Sequence, residues 1–211
     1  MQNNTSKMVA LLGKIRKHMN GAVLDTFRYY GARYGMNYGV AIHSIRELAR
    51  EIGCDDSLSR FLFRQQVREL QIIALWIADA EQTDRASLEF WAAGIVNSEL
   101  AEQAAQALLC RIESIDYLLE EWTNSENELL AYAALLAASR SDKVSAESTQ
   151  RAVVQTVEHF VDNHLAAQGV VRLLGAQIVK NRDKVAEILS LLPGNSTAAA
   201  VREEISWQLE Y

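Results

Sequence analysis

Scarcity of chain-breaking residues constrains this sequence more than any other feature. The 211 residues include one proline and ten glycines, which leaves few positions for the tight turns that join β-strands. This argues against an all-β sandwich or barrel. Apolar residues instead follow helical spacing, as between Ile42 and Ile52, where one stripe ends at Gly53, a usual helix terminator. We therefore predict an all-α protein.

Further helices are predicted from apolar spacing and from polar side chains that can accept a hydrogen bond at a helix start. Residues 67–78 are apolar on most sides and predict a buried helix. Later helices are expected at about 145–162, 164–180, 183–191 and 196–209. The candidate start residues are Asp55 or Asp56, Asn97 or Ser98, Ser114, Ser125, and Ser196 or Thr197.

The expected helices fall into pairs. Second members begin near 65, 98, 125, 164 and 196, an irregular period of roughly 30 to 40 residues that is typical of helix pairs stacked into an α-solenoid. A plain helical bundle is the alternative, although about twelve short helices are many for a simple bundle. Linkers are short, so we predict a single domain over residues 1–211.

Charge is distributed unevenly along the chain. The net charge is −6, yet residues 1–50 hold eight basic and two acidic groups, whereas residues 51–150 hold seven basic and eighteen acidic groups. A polyanion would be attracted to the first block and repelled by the second. Ordinary solvated helix faces would give the same pattern. The candidate nucleic-acid-binding residues are Lys14, Arg16, Lys17, Arg28, Arg33, Arg172 and Lys180.

Aromatic and basic residues alternate in one N-terminal segment. Phe27, Tyr30 and Tyr34 share a predicted helical face, flanked by Arg28 and Arg33. Such a face can stack on bases and meet phosphates. Aromatic residues at helical spacing are more often part of a core, so both interpretations stand.

Signals for metals, cofactors and membranes are missing from the sequence. The four histidines lie on separate predicted helices, and the two cysteines have no partners at metal-ligand spacing. No apolar run approaches the roughly 18 to 20 residues that a membrane span needs, and the N-terminus makes a poor secretory signal. We predict no metal, no cofactor, no membrane partner and a cytoplasmic location.

Three motifs in one order suggest a family. They are Tyr38-Gly39-Val40, the helix segment Ile45–Ala49 (IRELA), and Arg68-Glu69 followed by Ile72 and Ala74. Together they resemble the HEAT-repeat DNA alkylation repair enzymes, glycosylases built from stacked helix pairs. The likeness is good over about 38–111 and thins out to about 185. It implies a solenoid of about six antiparallel HEAT-like helix pairs and excision of cationic N3- or N7-alkylated purines.

The resemblance also implies site residues, and this chain departs from them. The family places a tryptophan, and four residues later an aspartate, at the start of one helix. Here Ser98 and Glu102 occupy those positions. The family arginine falls at Leu129 or Leu130, and its second tryptophan at Arg172 or Leu173. The carboxylate alone survives, without the aromatic faces that would hold a cationic base.

Three functional hypotheses follow. The first is a non-catalytic relative of the glycosylases that binds double-stranded or damaged DNA through backbone contacts from its basic N-terminal region. The second is an active glycosylase with Glu102 as the electrostatic catalyst. The third is a protein-interaction scaffold with a protein partner, a common role of α-solenoids that the acidic centre favours.

Overall fold

The computed structural model describes residues 3–29 and 34–210, and for residues 27–29 the backbone only. Over these ranges the chain is α-helical, with two short 3-10 turns and one isolated backbone bridge between Met36 and Val67. The predicted all-α solenoid of helix pairs is confirmed. Of the predicted aromatic face, Phe27 and Tyr30 with the flanking Arg28 and Arg33 lie outside the described side chains, whereas Tyr34 is described and half-buried.

The chain divides into two compact units, Met1–Gln82 and Thr83–Tyr211. In the first unit α4 and α5 pack against each other, with α1 against α4 and α3 against α5. All but one residue of α5 are buried, as the apolar run at 67–78 predicted. The described helices of this unit are α1 (Asn4–Lys17), α2 (Gly21–Tyr29), α3 (Ile42–Ile52), α4 (Asp56–Phe63) and α5 (Arg68–Ile77).

A buried ion pair fixes the loop that enters α3. Arg68 and Glu69 are 1% and 0% exposed, with their charged groups 3.2 Å apart. The Glu69 carboxylate accepts from the amides of Tyr38 and Val40, and Arg68 donates to the Val40 carbonyl at 2.8 Å. Because each buried charge meets several partners, the loop has one favourable conformation. This contact links the two sequence motifs around residues 38 and 68.

Gly39 is required within that loop for two reasons. Its φ of +72° lies in the left-handed region that favours glycine. A Cβ atom there would also collide with the backbone oxygen of Asn20 and lie 2.8 Å from Leu24 Cγ. The glycine of the Tyr38-Gly39-Val40 motif is therefore a structural requirement of the entry loop.

The second unit is built in two layers. Helices α7, α9, α11 and α13 pack side by side in one layer, which we call the inner layer, while α8, α10 and α12 form the other. The ranges are α6 (Leu88–Ala92), α7 (Ser98–Ala107), α8 (Ile115–Thr123), α9 (Glu128–Arg140), α10 (Ala146–His159), α11 (His164–Ile178), α12 (Arg182–Leu191) and α13 (Ser196–Glu210).

The repeat is more regular than the sequence suggested. The second helices of successive pairs, from α5 to α13, begin at intervals of 30, 30, 36 and 32 residues. Their starts are Arg68, Ser98, Glu128, His164 and Ser196. Within the second unit successive pairs pack on each other, which is how a solenoid buries helix stripes that no single helix could cover.

Helix α9 lies at the centre of the second unit. It contacts α7, α8, α10 and α11, and all its residues from Ala131 to Ala138 are buried. Five of those eight residues are alanines, which let neighbouring helices approach closely. Gly169 on α11 serves the same purpose, because a Cβ atom there would lie 2.9 Å from Leu135 Cδ1.

Two predicted helix starts are wrong. Helix α9 begins after Asn127, whose side chain accepts from the Leu129 amide, while the Ser125 hydroxyl donates to the Trp122 carbonyl. Helix α13 is capped by Asn195, which accepts from the Ala198 amide. In each case a nearby asparagine reaches the free amides of the first turn, and because Asn and Ser cap about equally well, residue type alone could not choose between them. The predicted caps Asp55 and Asn97 are confirmed.

Removing the buried carboxylate should destabilise the first unit strongly. We expect Glu69→Gln to lower the free energy of unfolding by roughly 3–5 kcal/mol, because it leaves the Arg68 guanidinium buried without its counter-charge. Glu51→Gln removes an exposed ion pair with Lys14 and should change stability little. Urea unfolding of the full chain, followed by circular dichroism, measures both. Equal losses of unfolding free energy in the two variants would contradict the stabilising role of the buried Arg68–Glu69 pair.

Candidate functional site

A cleft of about 720 Å³ opens on the inner layer of the second unit. Each inner helix contributes a polar side chain to it: Glu102 from α7, Tyr132 from α9, Arg172 from α11 and Glu204 from α13. Since the four helices lie side by side, the cleft crosses all of them. Residues distant in the sequence therefore meet at one surface.

Glu102 and Tyr132 form the best-defined contact in the cleft. The Tyr132 hydroxyl donates to the Glu102 carboxylate over 3.1 Å. Tyr132 is 6% exposed, and burial together with the Glu102 charge raises the pKa of Tyr132 to about 12. The positive charges of Arg172 and Arg140 act in the opposite direction. The phenol is therefore a hydrogen-bond donor at neutral pH.

Close helix packing holds the Tyr132 ring in place. Gly169 lies on α11 opposite the ring, and a Cβ atom at that position would be 3.3 Å from Tyr132 Cδ2. The glycine therefore lets α11 cover the ring and leaves the hydroxyl directed at Glu102. The ring lies against the helix, and its hydroxyl reaches the cleft.

The structure brings together only some of the positions implied by the family resemblance. Glu102 and Arg172 line the same cleft, whereas Leu173 is fully buried. Ser98 is the first residue of α7, exposed and one turn before Glu102. Leu129 lines a separate, shallower depression at the start of α9. Leu130, like Leu129, is half-buried.

Tyr132 is the site residue that sequence reasoning missed. It lies in the segment LLAYAALLAAS, where a helical, buried environment was the natural expectation. The sequence did contain one indication: Tyr132 is a phenol in an otherwise aliphatic stretch. A buried phenol hydroxyl needs a hydrogen-bond partner. The partner is 30 residues away in sequence, and only the packing of α7 on α9 supplies it.

A second group of polar residues lies in the first unit, where the last turns of α1 and α3 meet. Lys14 forms a 2.7 Å ion pair with Glu51, and its hydrogen bond and charge lower the pKa of Glu51, with a smaller effect from His18. Arg16 and Lys17, in the last turn of α1, are exposed. We call this group, with Arg50 of α3, the basic end: Lys14, Arg16, Lys17, His18 and Arg50.

The remaining cations predicted from the sequence are dispersed. Lys180 lies 3.5 Å from Asp142 in the second unit, and Arg172 lines the cleft. Arg33 lies outside the described residues, and only the backbone of Arg28 is described. Among the described residues, no group of three or more acidic, histidine or cysteine side chains is placed to hold a metal ion. None of the described helices is long and apolar enough to cross a membrane.

Comparison with known proteins gives the family. The model of the DNA alkylation repair enzyme family matches residues 12–164 of this chain. The chain belongs to the DNA alkylation repair enzyme family. The match ends as α11 begins, so Arg172 and all of α13 lie beyond the part of this family member that the family model covers.

One solved structure has the same fold. It is described as representing a new family of proteins related to the HEAT-like repeat DNA glycosylases with affinity for branched DNA structures. It matches with a TM-score of 0.72, covers 94% of each chain and shares 14% sequence identity. No curated protein sequence matches the chain. The DNA alkylation repair family member thus keeps a HEAT-like fold despite low sequence identity.

The pKa of Tyr132 can be measured directly. We expect the ¹³Cζ resonance of Tyr132 to titrate near pH 12, against about 10 for an ordinary tyrosine. Glu102→Gln should lower that pKa, because the Glu102 charge favours the protonated phenol, and burial should keep it above 10. Because the folded-state pKa is raised, this contribution to stability is lost as the pH rises from about 10 to 12.

The titration has two controls. Tyr132→Phe assigns the resonance, and Glu204→Gln removes another carboxylate of the cleft that does not contact the phenol. An unchanged Tyr132 pKa in Glu102→Gln would mean that the two groups do not interact in solution.

Proposed function

We propose that this protein binds DNA through its phosphate backbone and does not excise bases. The observation that carries this proposal is the basic end of the first unit. Lys14 pairs with Glu51 there, whereas among the described residues neither Arg16 nor Lys17, both exposed in the last turn of α1, forms an ion pair. Exposed cations of this kind attach to phosphates and release counterions. Membership of a DNA alkylation repair family makes DNA the polyanion to test first.

Composition of the cleft supports the absence of catalysis. A glycosylase of this kind needs a carboxylate to stabilise positive charge on the sugar and an aromatic face to hold the cationic base. Here the Glu102 carboxylate accepts a hydrogen bond from Tyr132, and Arg172 lines the same cleft. The Tyr132 hydrogen bond and the Arg172 charge both reduce the negative potential at Glu102, which would have to stabilise the positively charged sugar. The Tyr132 ring is 6% exposed and offers no open face, and no tryptophan is among the described residues that line the cleft.

Branched DNA is the class of DNA that we expect the protein to bind most tightly. The solved structure with the same fold is described as related to glycosylases and as having affinity for branched DNA structures. A branch point brings together phosphates from several duplex arms, whereas a linear duplex presents the phosphates of its two strands along one axis. We therefore extend the proposal to DNA junctions and flaps.

The basic end can be tested by neutralising two of its cations. We expect wild-type protein to bind a four-way junction more tightly than a linear duplex of the same length, and most tightly at low salt. Arg16→Gln with Lys17→Gln should weaken binding and reduce the slope of log K against log salt by about two. Fluorescence anisotropy from about 20 to 200 mM salt measures both.

A matched variant separates position from net charge. Lys143→Gln with Arg151→Gln also removes two exposed positive charges, but each is paired with a glutamate in the second unit. This control should leave the salt slope unchanged. The proposal is wrong if the wild-type protein does not bind DNA at the lowest salt, in which case recovery of a defined protein partner would favour the scaffold hypothesis.

A second candidate function is an active glycosylase, which is favoured by the fixed orientation that Tyr132 gives the Glu102 carboxylate, even though the same hydrogen bond weakens its negative potential. The bond orients the carboxylate and supplies a phenol that the sequence had not placed near it. In that case Glu102 would stabilise the charge that develops on the deoxyribose, and Tyr132 would be a positioning residue.

Release of N7-methylguanine distinguishes the two functions. We expect wild type, Glu102→Gln and the same-helix control Glu99→Gln all to match spontaneous depurination. An active enzyme would instead exceed background, and Glu102→Gln would lower its rate by roughly 10²- to 10³-fold while Glu99→Gln kept it. That second result would overturn the non-catalytic proposal.

A further inference from the structure

Trp207 is an exposed indole on α13, the helix that contributes Ala200, Glu204 and Gln208 to the cleft. It is 61% exposed, whereas Trp91 and Trp122 are 0% and 4% exposed. A large aromatic side chain in water contributes little to the core, and exposed aromatic residues are enriched at binding surfaces. Trp207 also lies beyond the segment matched by the family model, so no family motif assigns it a role.

Helical spacing places Trp207 on the cleft side of α13. Ala200, Glu204 and Gln208 of that helix line the cleft. Trp207 follows Ala200 by seven residues and Glu204 by three, spacings that keep side chains on one helical face. Val201 and Ile205 of α13 are buried in the core of the unit, whereas Ala200, Glu204 and Trp207 are exposed. The indole therefore stands beside the opening of the cleft.

Small residues keep the cleft open next to this helix. Gly175 and Ala176 of α11 form part of its wall. A Cβ atom on Gly175 would lie 2.9 Å from the Gln208 side-chain oxygen. A larger side chain at Gly175 would therefore displace the Gln208 amide from its present position. The backbone-lined wall leaves space for a flat group beside Gln208.

Polar groups of the cleft fit the edge of a base better than a phosphate. Glu102 and Glu204 bring two negative charges, against one positive charge from Arg172. Gln168 and Gln208 add amides that both donate and accept. A phosphate would meet net repulsion, while a neutral base carries the donors and acceptors that carboxylates, amides and guanidinium groups recognise.

We propose that Trp207 and the adjoining cleft hold one unpaired nucleobase of a DNA substrate. The indole stacks on the face of the base, and Glu204, Gln208 and Arg172 meet its edge. Bases inside a duplex have both faces covered, so the ligand is a bulged, flapped or single-stranded base. This inference rests on the proposed function, that the protein binds DNA, and adds which part of the DNA enters the second unit.

Tryptophan fluorescence and affinity measurements test the inference together. The probes are a linear duplex and the same duplex with one unpaired adenine, titrated against the full-length protein. We expect the bulged duplex to quench wild-type emission and to bind more tightly. Trp207→Ala should abolish that quenching and weaken binding of the bulged duplex by roughly 5- to 100-fold, as expected for loss of one stacked base. Binding of the perfect duplex should stay unchanged.

Two further variants make the outcome specific. Trp207→Phe should retain part of the bulge preference, because a phenyl ring still stacks. Leu191→Ala removes another exposed apolar side chain of the second unit, 47% exposed, and should leave the preference intact. Anisotropy with labelled DNA gives the affinities independently of the fluorescence signal.

Each result separates this inference from the proposed function. If Trp207→Ala binds the bulged duplex as wild type does, the stacking inference is wrong while DNA binding stands. If Trp207→Ala weakens both DNAs equally, the indole is a general contact and the inference is also wrong. If no form of the protein binds either DNA at low salt, the proposed function fails, and the inference fails with it.

Discussion

Burial of α9 on nearly all sides is the constraint on which the second unit depends. Residues from Ala131 to Ala138 have no solvent-facing side, so α7, α8, α10 and α11 must each cover part of the helix. Alanines and Gly169 allow these close approaches. The same packing covers the ring of Tyr132 and leaves its hydroxyl to meet Glu102. The helix packing that buries α9 therefore also positions the residues of the site.

The two units combine different physical features. The first unit is organised by the buried Arg68–Glu69 pair and has a basic end, where Lys14 pairs with Glu51 and the exposed Arg16 and Lys17 follow in the same turn. The second is organised by aliphatic packing and has a polar cleft lined by two carboxylates and one guanidinium group. A backbone-binding role fits the first, and recognition of an uncharged base edge fits the second. The two proposals therefore concern chemically different parts of a nucleic acid.

Local patterns allowed the helices to be predicted closely. The stripe ending at Gly53 and the buried helix at α5 depend on neighbours within one turn, so their spacing in the sequence was sufficient. Errors occurred where two nearby residues competed to cap a helix, as with Ser125 and Asn127. The single-domain interpretation of residues 1–211 stays a prediction, as do the nucleic-acid-binding roles of Arg172 and Lys180.

The sequence by itself determined the helical fold and its irregular repeat of roughly 30 to 40 residues, because these follow from residue type and spacing along the chain. Only the tertiary structure decided what surrounds the Glu102 carboxylate. Tyr132 and Arg172 come from helices 30 and 70 residues away, and side-by-side packing of α7, α9 and α11 brings them to one cleft. The spacing of residues within one helix does not predict which other helix will pack against it.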